Sequence, residues 1–248
     1  MRVILTLLLL LQVLRATGQS DTTKVLAFDD AIAIALLNNP SFVSDADQKK
    51  LLWNISSTWF YLLLQLNEIQ LLQEHFALLC DLDRVAALHY QEGNIELLEK
   101  SAFLAKLAES KANIAILDNE INITGNHLRK LMNCHERVVP ADTNLFLYEI
   151  NKNPFGDHSY RDSDTASKIE NLRLKLESYF IKLQYFKTTG LDHAVLILHV
   201  NLVKFRTEEI DYLEYTLNIS EAFAIRQKYL KILNDYNQTA LELEYYVN

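Results

Sequence analysis

Apolar residues recur at helical spacing over two long stretches of the chain. From Leu62, the positions Leu66, Ile69, Leu72, Phe76, Leu79, Asp83, Ala86 and Tyr90 advance by about 3.5 residues per step. That spacing belongs to a seam that keeps facing a partner helix, and Asp83 leaves it intact because Leu82 sits beside it. Further on, Leu98, Ala102, Ala105, Ala108, Ala112, Ala115, Asn119 and Asn122 continue a stripe of the same kind. Alanine at these positions predicts a close approach of two helices. No proline lies between Leu51 and Asn133, or between Asp164 and Asn248, whereas Pro40, Pro140 and Pro154 all fall outside these blocks. Both blocks are therefore predicted to be helical.

The blocks are copies of one unit. Tyr90-Gln-Glu-Gly-Asn-Ile-Glu-Leu-Leu-Glu99 recurs as Phe205-Arg-Thr-Glu-Glu-Ile-Asp-Tyr-Leu-Glu214, 115 positions on. The register places Leu66 on Ile181, Phe76 on Leu191 and Val85 on Val200. Within the motif, Gly93 suits the left-handed residue that ends a helix and Asn94 suits the cap of the next. Each unit is thus predicted to be an antiparallel hairpin, with arms of about 40 residues and about 60 Å. The second copy has Glu208 in place of the glycine, so its turn is expected to use Thr207 or Asp211 as a cap, with Asp211 and Glu214 spaced as a capping box. Gly125 and Gly190, inside predicted arms, are expected weak points or kinks.

Residues 28–39 read as a short amphipathic helix with Ala31, Ile32, Ala35 and Leu36 on one side, stopped by Asn38-Asn39-Pro40. Behind Arg2, the run Val3 to Leu14 followed by Ala16-Thr17-Gly18 has the form of a secretory leader, too short for a bilayer-spanning helix. The expected organisation is leader 1–18, leading helix and connector 19–50, first hairpin 51–133, polar linker 134–163 and second hairpin 164–248. The fold class is all-α, two tandem coiled-coil hairpins behind a short N-terminal helix.

Composition narrows the function. The net charge of −8 becomes more negative once Arg2 and Arg15 leave with the leader, which disfavours nucleic acid and anionic lipid as partners. Cys80 and Cys134 lie at very different distances from the bend at Gly93, roughly 40 Å apart along the hairpin, so they are read as free thiols. The seven histidines show no ligand spacing, and no phosphate loop or nucleophile elbow is present. No metal, cofactor or catalytic residue is expected. Asn54, Asn122, Asn218 and Asn237 each begin an Asn-x-Ser/Thr sequon, which leaves a secreted glycoprotein as a remote third reading.

Three segments together resemble the TolC-like outer membrane efflux proteins: Leu26-Ala-Phe-Asp-Asp-Ala-Ile-Ala-Ile-Ala-Leu-Leu-Asn-Asn-Pro40, the two bend motifs, and Tyr229-Leu-Lys-Ile-Leu-Asn-Asp-Tyr-Asn-Gln-Thr-Ala-Leu-Glu-Leu-Glu-Tyr245. The last looks most like the branch that serves heavy-metal exporters of the resistance-nodulation-division type. The resemblance implies a homotrimeric periplasmic tube in the outer membrane, a passive duct whose tips meet a periplasmic adaptor and, through it, an inner-membrane pump. Carried over, Gln91, Glu92, Gly93, Asn94 and Ile95, with Arg206, Thr207, Glu208, Glu209 and Ile210, are the candidate docking residues. The family also carries a further helix and two membrane strands in each repeat, for which 41–50 and the linker leave no room. The alternative reading is a soluble periplasmic coiled-coil binding protein without transport activity.

Overall fold

The computed structural model describes residues 23–41, 44–91, 97–150 and 163–247. The expected leader, Glu92 to Ile95 of the first bend and residues 151–162 of the expected linker lie outside them. In chain order the elements are β1 (Thr23–Leu26), α1 (Phe28–Asn38), α2 (Asp45–Gln91), α3 (Leu97–Leu131), β2 (Arg137–Pro140), α4 (Ser163–Tyr185), a π-helical turn (Phe186–Gly190), α5 (Leu191–Arg206) and α6 (Tyr212–Val247). The chain is all-α in class, with α2 and α3 as one hairpin and α4–α5 and α6 as the other. Among the described residues, no helix is long and apolar enough to cross a membrane.

The helices form a layer in the order α3, α2, α6, then α4 and α5 together. Because α2 lies between α3 and α6, it buries two sides, and one heptad seam does not describe it. Leu62, Leu79 and Ala86 of the predicted seam are buried, but so are Ile55, Trp59, Phe60, Leu63, Leu64, Leu71 and Leu82. The alanine stripe is a correction: Ala102, Ala105, Ala108, Ala112, Ala115, Asn119 and Asn122 are all exposed. The face that α3 turns to the layer is Phe103, Ser110, Leu117, Ile121, Thr124 and Leu128. Larger side chains won that face because they remove more apolar area from water than alanine does.

Gly190 sits at the predicted irregularity. Its α-carbon lies under the buried ring of Phe186, and a β-carbon there would come within 2.7 Å of Phe186 Cδ1. The π-turn adds one residue to the arm, which the burial pattern records. Before the turn, buried Leu176 and Leu183 answer Leu62 and Ile69, 114 positions earlier; after it, Ala194 answers Leu79, 115 positions earlier. The register that set Leu66 on Ile181 therefore shifts by one residue in α4. Gly125, by contrast, causes no break: α3 is continuous through it, and its missing side chain faces open space.

Both α3 and α5 end on a left-handed residue, Asn133 (φ 48°) and Glu208 (φ 60°). Around each, the following N–H reaches five residues back: Cys134 to Arg129 O at 3.2 Å and Glu209 to Lys204 O at 2.9 Å. The second hairpin thus turns at the position where the first copy has glycine.

The short elements lock the far end. β1 and β2, too short to stand out in the sequence, pair in parallel with Thr23 opposite Arg137 and Leu26 opposite Pro140. Asn39 Nδ2 donates to Leu131 O (3.2 Å), Asn38 Nδ2 to Met132 O (3.2 Å) and Asn133 Nδ2 to Asn38 O (2.9 Å). The Asn-Asn-Pro that stops α1 also satisfies carbonyls at the end of α3. In α1, Ala31 and Ala35 are buried, whereas Leu36, expected on the same side, is exposed. Part of the expected linker belongs to the core: Val138 is buried, and Leu145 and Tyr148 pack on buried clusters. Fully buried Asn237 fixes this segment, donating to Phe146 O (2.7 Å) and accepting from Tyr148 N–H (2.8 Å).

Two glycines thus predict opposite outcomes by thermal or urea unfolding. Gly125→Ala should stabilise by about 0.5–1 kcal/mol through helix propensity alone, whereas Gly190→Ala should destabilise by about 1–2 kcal/mol through its clash with Phe186. Glu208→Gly should stabilise by about 0.5–1 kcal/mol, the relief of a left-handed non-glycine residue less the added freedom of the unfolded chain. A loss of stability in that variant would show that Glu208 is held there by something other than backbone geometry.

Candidate functional site

The second bend occupies the five residues between α5 and α6, Thr207 to Asp211, together with their flanks. Asp211 is the cap: its Oδ1 accepts the Glu214 N–H at 2.7 Å, and its carbonyl accepts the Tyr215 N–H at 3.0 Å. Thr207 works on the other side, its hydroxyl donating to Glu209 Oε1 at 2.8 Å and lying 3.2 Å from the carbonyls of Val203 and Lys204. Arg206, Thr207, Glu208 and Glu209 are exposed, while Ile210 turns inward and packs against a buried cluster. Of the five predicted docking residues in this copy, four form a surface and the fifth anchors it. The surface carries both signs of charge, with acids in excess once Asp211 and Glu214 are included.

At the first bend, Gln91 is the exposed last residue of α2, and Glu92, Gly93, Asn94 and Ile95 lie outside the described residues. Just below it, Lys100 Nζ sits 4.4 Å from the centre of the Tyr90 ring, joining the two arms by a cation–π contact.

One core supports both ends. Leu79, Leu82 and Ala86 of α2, Phe103 of α3, and Tyr212, Tyr215, Ile219 and Phe223 of α6 bury together, with Phe205 and Leu202 packed against them. Phe103 meets Tyr212 edge-on at 4.9 Å, and Phe205 stacks on Tyr215 at 4.6 Å. Burial pushes the Tyr215 phenol above its ordinary range, with Arg206 pulling the other way. The cluster thus joins α2, α3 and α6 below the second bend, and only the repeated aromatic positions hint at it in the residues alone.

Further along, the α2–α6 joint is polar. Ser57 donates to Gln238 Oε1 (2.5 Å), Gln227 Nε2 to Glu68 Oε1 (3.2 Å), and Arg226 pairs with Glu74 (2.8 Å). His75 stacks on Phe223 with ring centres 4.7 Å apart, near the Ser220 hydroxyl (3.5 Å). Burial, then Lys106, holds His75 below the usual histidine range, and burial raises Glu68 above the usual carboxylate range despite Lys231 and Gln227. The α6 side of this joint is Ser220, Phe223, Gln227, Lys231 and Gln238, and 115 positions earlier stand Ala105, Ala108, Ala112, Ile116 and Ile123. The exposed stripe of α3 is thus the repeat equivalent of a face that α6 uses to hold a neighbouring hairpin. Among the described residues, no group of three His, Cys, Asp or Glu is placed to hold a metal ion.

No protein-family model and no curated protein matches the chain. Among solved structures it is similar to CusC, studied by crystallography for the conformational changes accompanying its folding and transmembrane channel formation. The likeness has a TM-score of 0.59 at 13% identity and covers 87% of this chain and 73% of the CusC chain. At that identity the likeness is one of fold: the long-helix architecture of this chain is similar to that of CusC.

Proposed function

We propose that the protein is the helical duct component of a tripartite efflux system, exported to the periplasm and outer membrane and assembled as a homotrimer. Its adaptor would dock at Gln91 to Ile95 and Arg206 to Ile210, and a pump of the heavy-metal resistance-nodulation-division type would supply the driving force. The duct does no chemistry; it encloses a path.

The observation that carries this reading is the open pair of edges of the four-rod layer. Within one chain, the first arm of one hairpin (α2) packs on the second arm of the other (α6). Among the described residues one joint of the same kind is not made: the second arm α3 and the first arm α4–α5 lie at opposite edges. Both edges are apolar for exposed surface, with Ile116 and Ile123 on α3 and Leu174, Ile181, Val195 and Leu196 on α4–α5. Two different faces that complement each other between copies generate a ring when the rotation closes, and the layer supplies the wall. The likeness to CusC supports a channel of this kind.

In detergent extracts, light scattering should give three times the mass of one chain, and Ile116→Asp or Ile181→Asp should leave a folded monomer. A monomer before any substitution would overturn the ring. Reversing charge at the tips with Glu92→Lys and Glu209→Lys should weaken co-purification of the adaptor by about tenfold without changing the oligomer, as expected for exposed charges that steer docking. Unchanged cross-linking between the tips and the adaptor would overturn the docking assignment.

A further inference from the structure

A second place in the fold has the features of a binding site. Between α3 and β2, beside α2, lies a groove of about 330 Å³, within the range that small ligands fill. Its apolar floor includes Leu62, Leu66 and Ile121, and its charged lining is Arg129 from α3 and Arg137 from β2. Elsewhere in the chain, Arg84, Arg173 and Arg226 each meet a carboxylate. Here the only described partners are neutral: Arg129 Nη1 donates to His135 O at 3.5 Å and Arg137 Nη2 to Asn122 Oδ1 at 3.1 Å. A guanidinium has five N–H donors, so most of both forks remain available. Asp118, Glu120 and Glu136 are close in sequence but do not line the groove.

Gly125 lines the groove, and a β-carbon there would meet nothing within 4 Å, so a larger side chain at this position would project into the open space beside α3. In a chain with net charge −8, two arginines from different elements around an apolar floor make a local site for an anion with an apolar part. We propose that this groove binds a small amphipathic anion, its carboxylate or phosphate held by Arg129 and Arg137 and its apolar part resting on Leu62, Leu66 and Ile121. The site is remote from the bends and does not depend on the duct reading.

Titration calorimetry on the full processed chain tests it with hexyl phosphate, inorganic phosphate and hexanol as probes. Hexyl phosphate should bind saturably at one site per chain, and inorganic phosphate and hexanol each at least about tenfold more weakly, because each lacks half of the recognised chemistry. Arg129→Gln and Arg137→Gln should each weaken hexyl phosphate by about tenfold or more, the scale of a lost charge-assisted contact. Gly125→Leu should abolish binding while leaving the helical circular dichroism and its melting intact. In the unsubstituted protein, the Nε–H resonances of Arg129 and Arg137 should shift with the probe, which tests the site without relying on any variant. Absence of saturable binding, binding that survives both arginine substitutions, or equal affinity for inorganic phosphate would overturn the proposal.

Discussion

The structure depends on the contact between α2 and α6. Each is the inner helix of the layer, and each must satisfy neighbours on two sides, so their buried residues outnumber those of the edge helices. Burying a large aliphatic or aromatic side chain is worth about 1.5–3 kcal/mol, and on α2 this burial is shared between its neighbours, Ile55, Trp59, Phe60 and Leu63 mainly with α1 and α3, and Leu79 with α6. Between these apolar clusters the joint carries a polar row, Ser57 with Gln238 and Glu68 with Gln227 and Lys231. Hydrogen bonds of this kind add little net energy but fix the register in which two long helices meet.

That register decides everything at the two ends. Towards the bends, α2 and α6 bring Phe103, Tyr212, Tyr215 and Phe205 into one cluster. At the other end, Asn237 of α6 takes the backbone of residues 146–148 into the core, and Asn38, Asn39 and Asn133 tie α1 to α3. A layer built in this way buries side chains on two sides of its inner helices and leaves apolar side chains such as Ile116, Ile123, Leu174 and Ile181 exposed on its edge helices.

The hairpins, their duplication and the positions of their bends were legible in the residues because helical periodicity, proline placement and a repeated motif are local properties. A cap at Thr207 or Asp211 was legible too, since it needs only near neighbours, and the structure uses Asp211. The faces were not legible. Ala102 to Ala115 has the spacing of a seam, yet those alanines lie outside and Phe103, Leu117 and Leu128 lie inside. Periodicity shows that a stripe exists, but a helix with two or three apolar stripes can turn any of them towards a neighbour. Four-residue strands gave too short a signal, and the arginines of the groove stand on separate elements.

By itself, then, the sequence determined that the chain is two long helical hairpins with bends near Gly93 and Glu208, since those features follow from backbone preferences over a few residues. The tertiary structure alone decided which hairpin arm lies inside, which apolar stripe is left open, and how a π-turn at Gly190 absorbs one residue between the repeats. Those outcomes depend on contacts between residues more than a hundred positions apart, where the larger buried area wins.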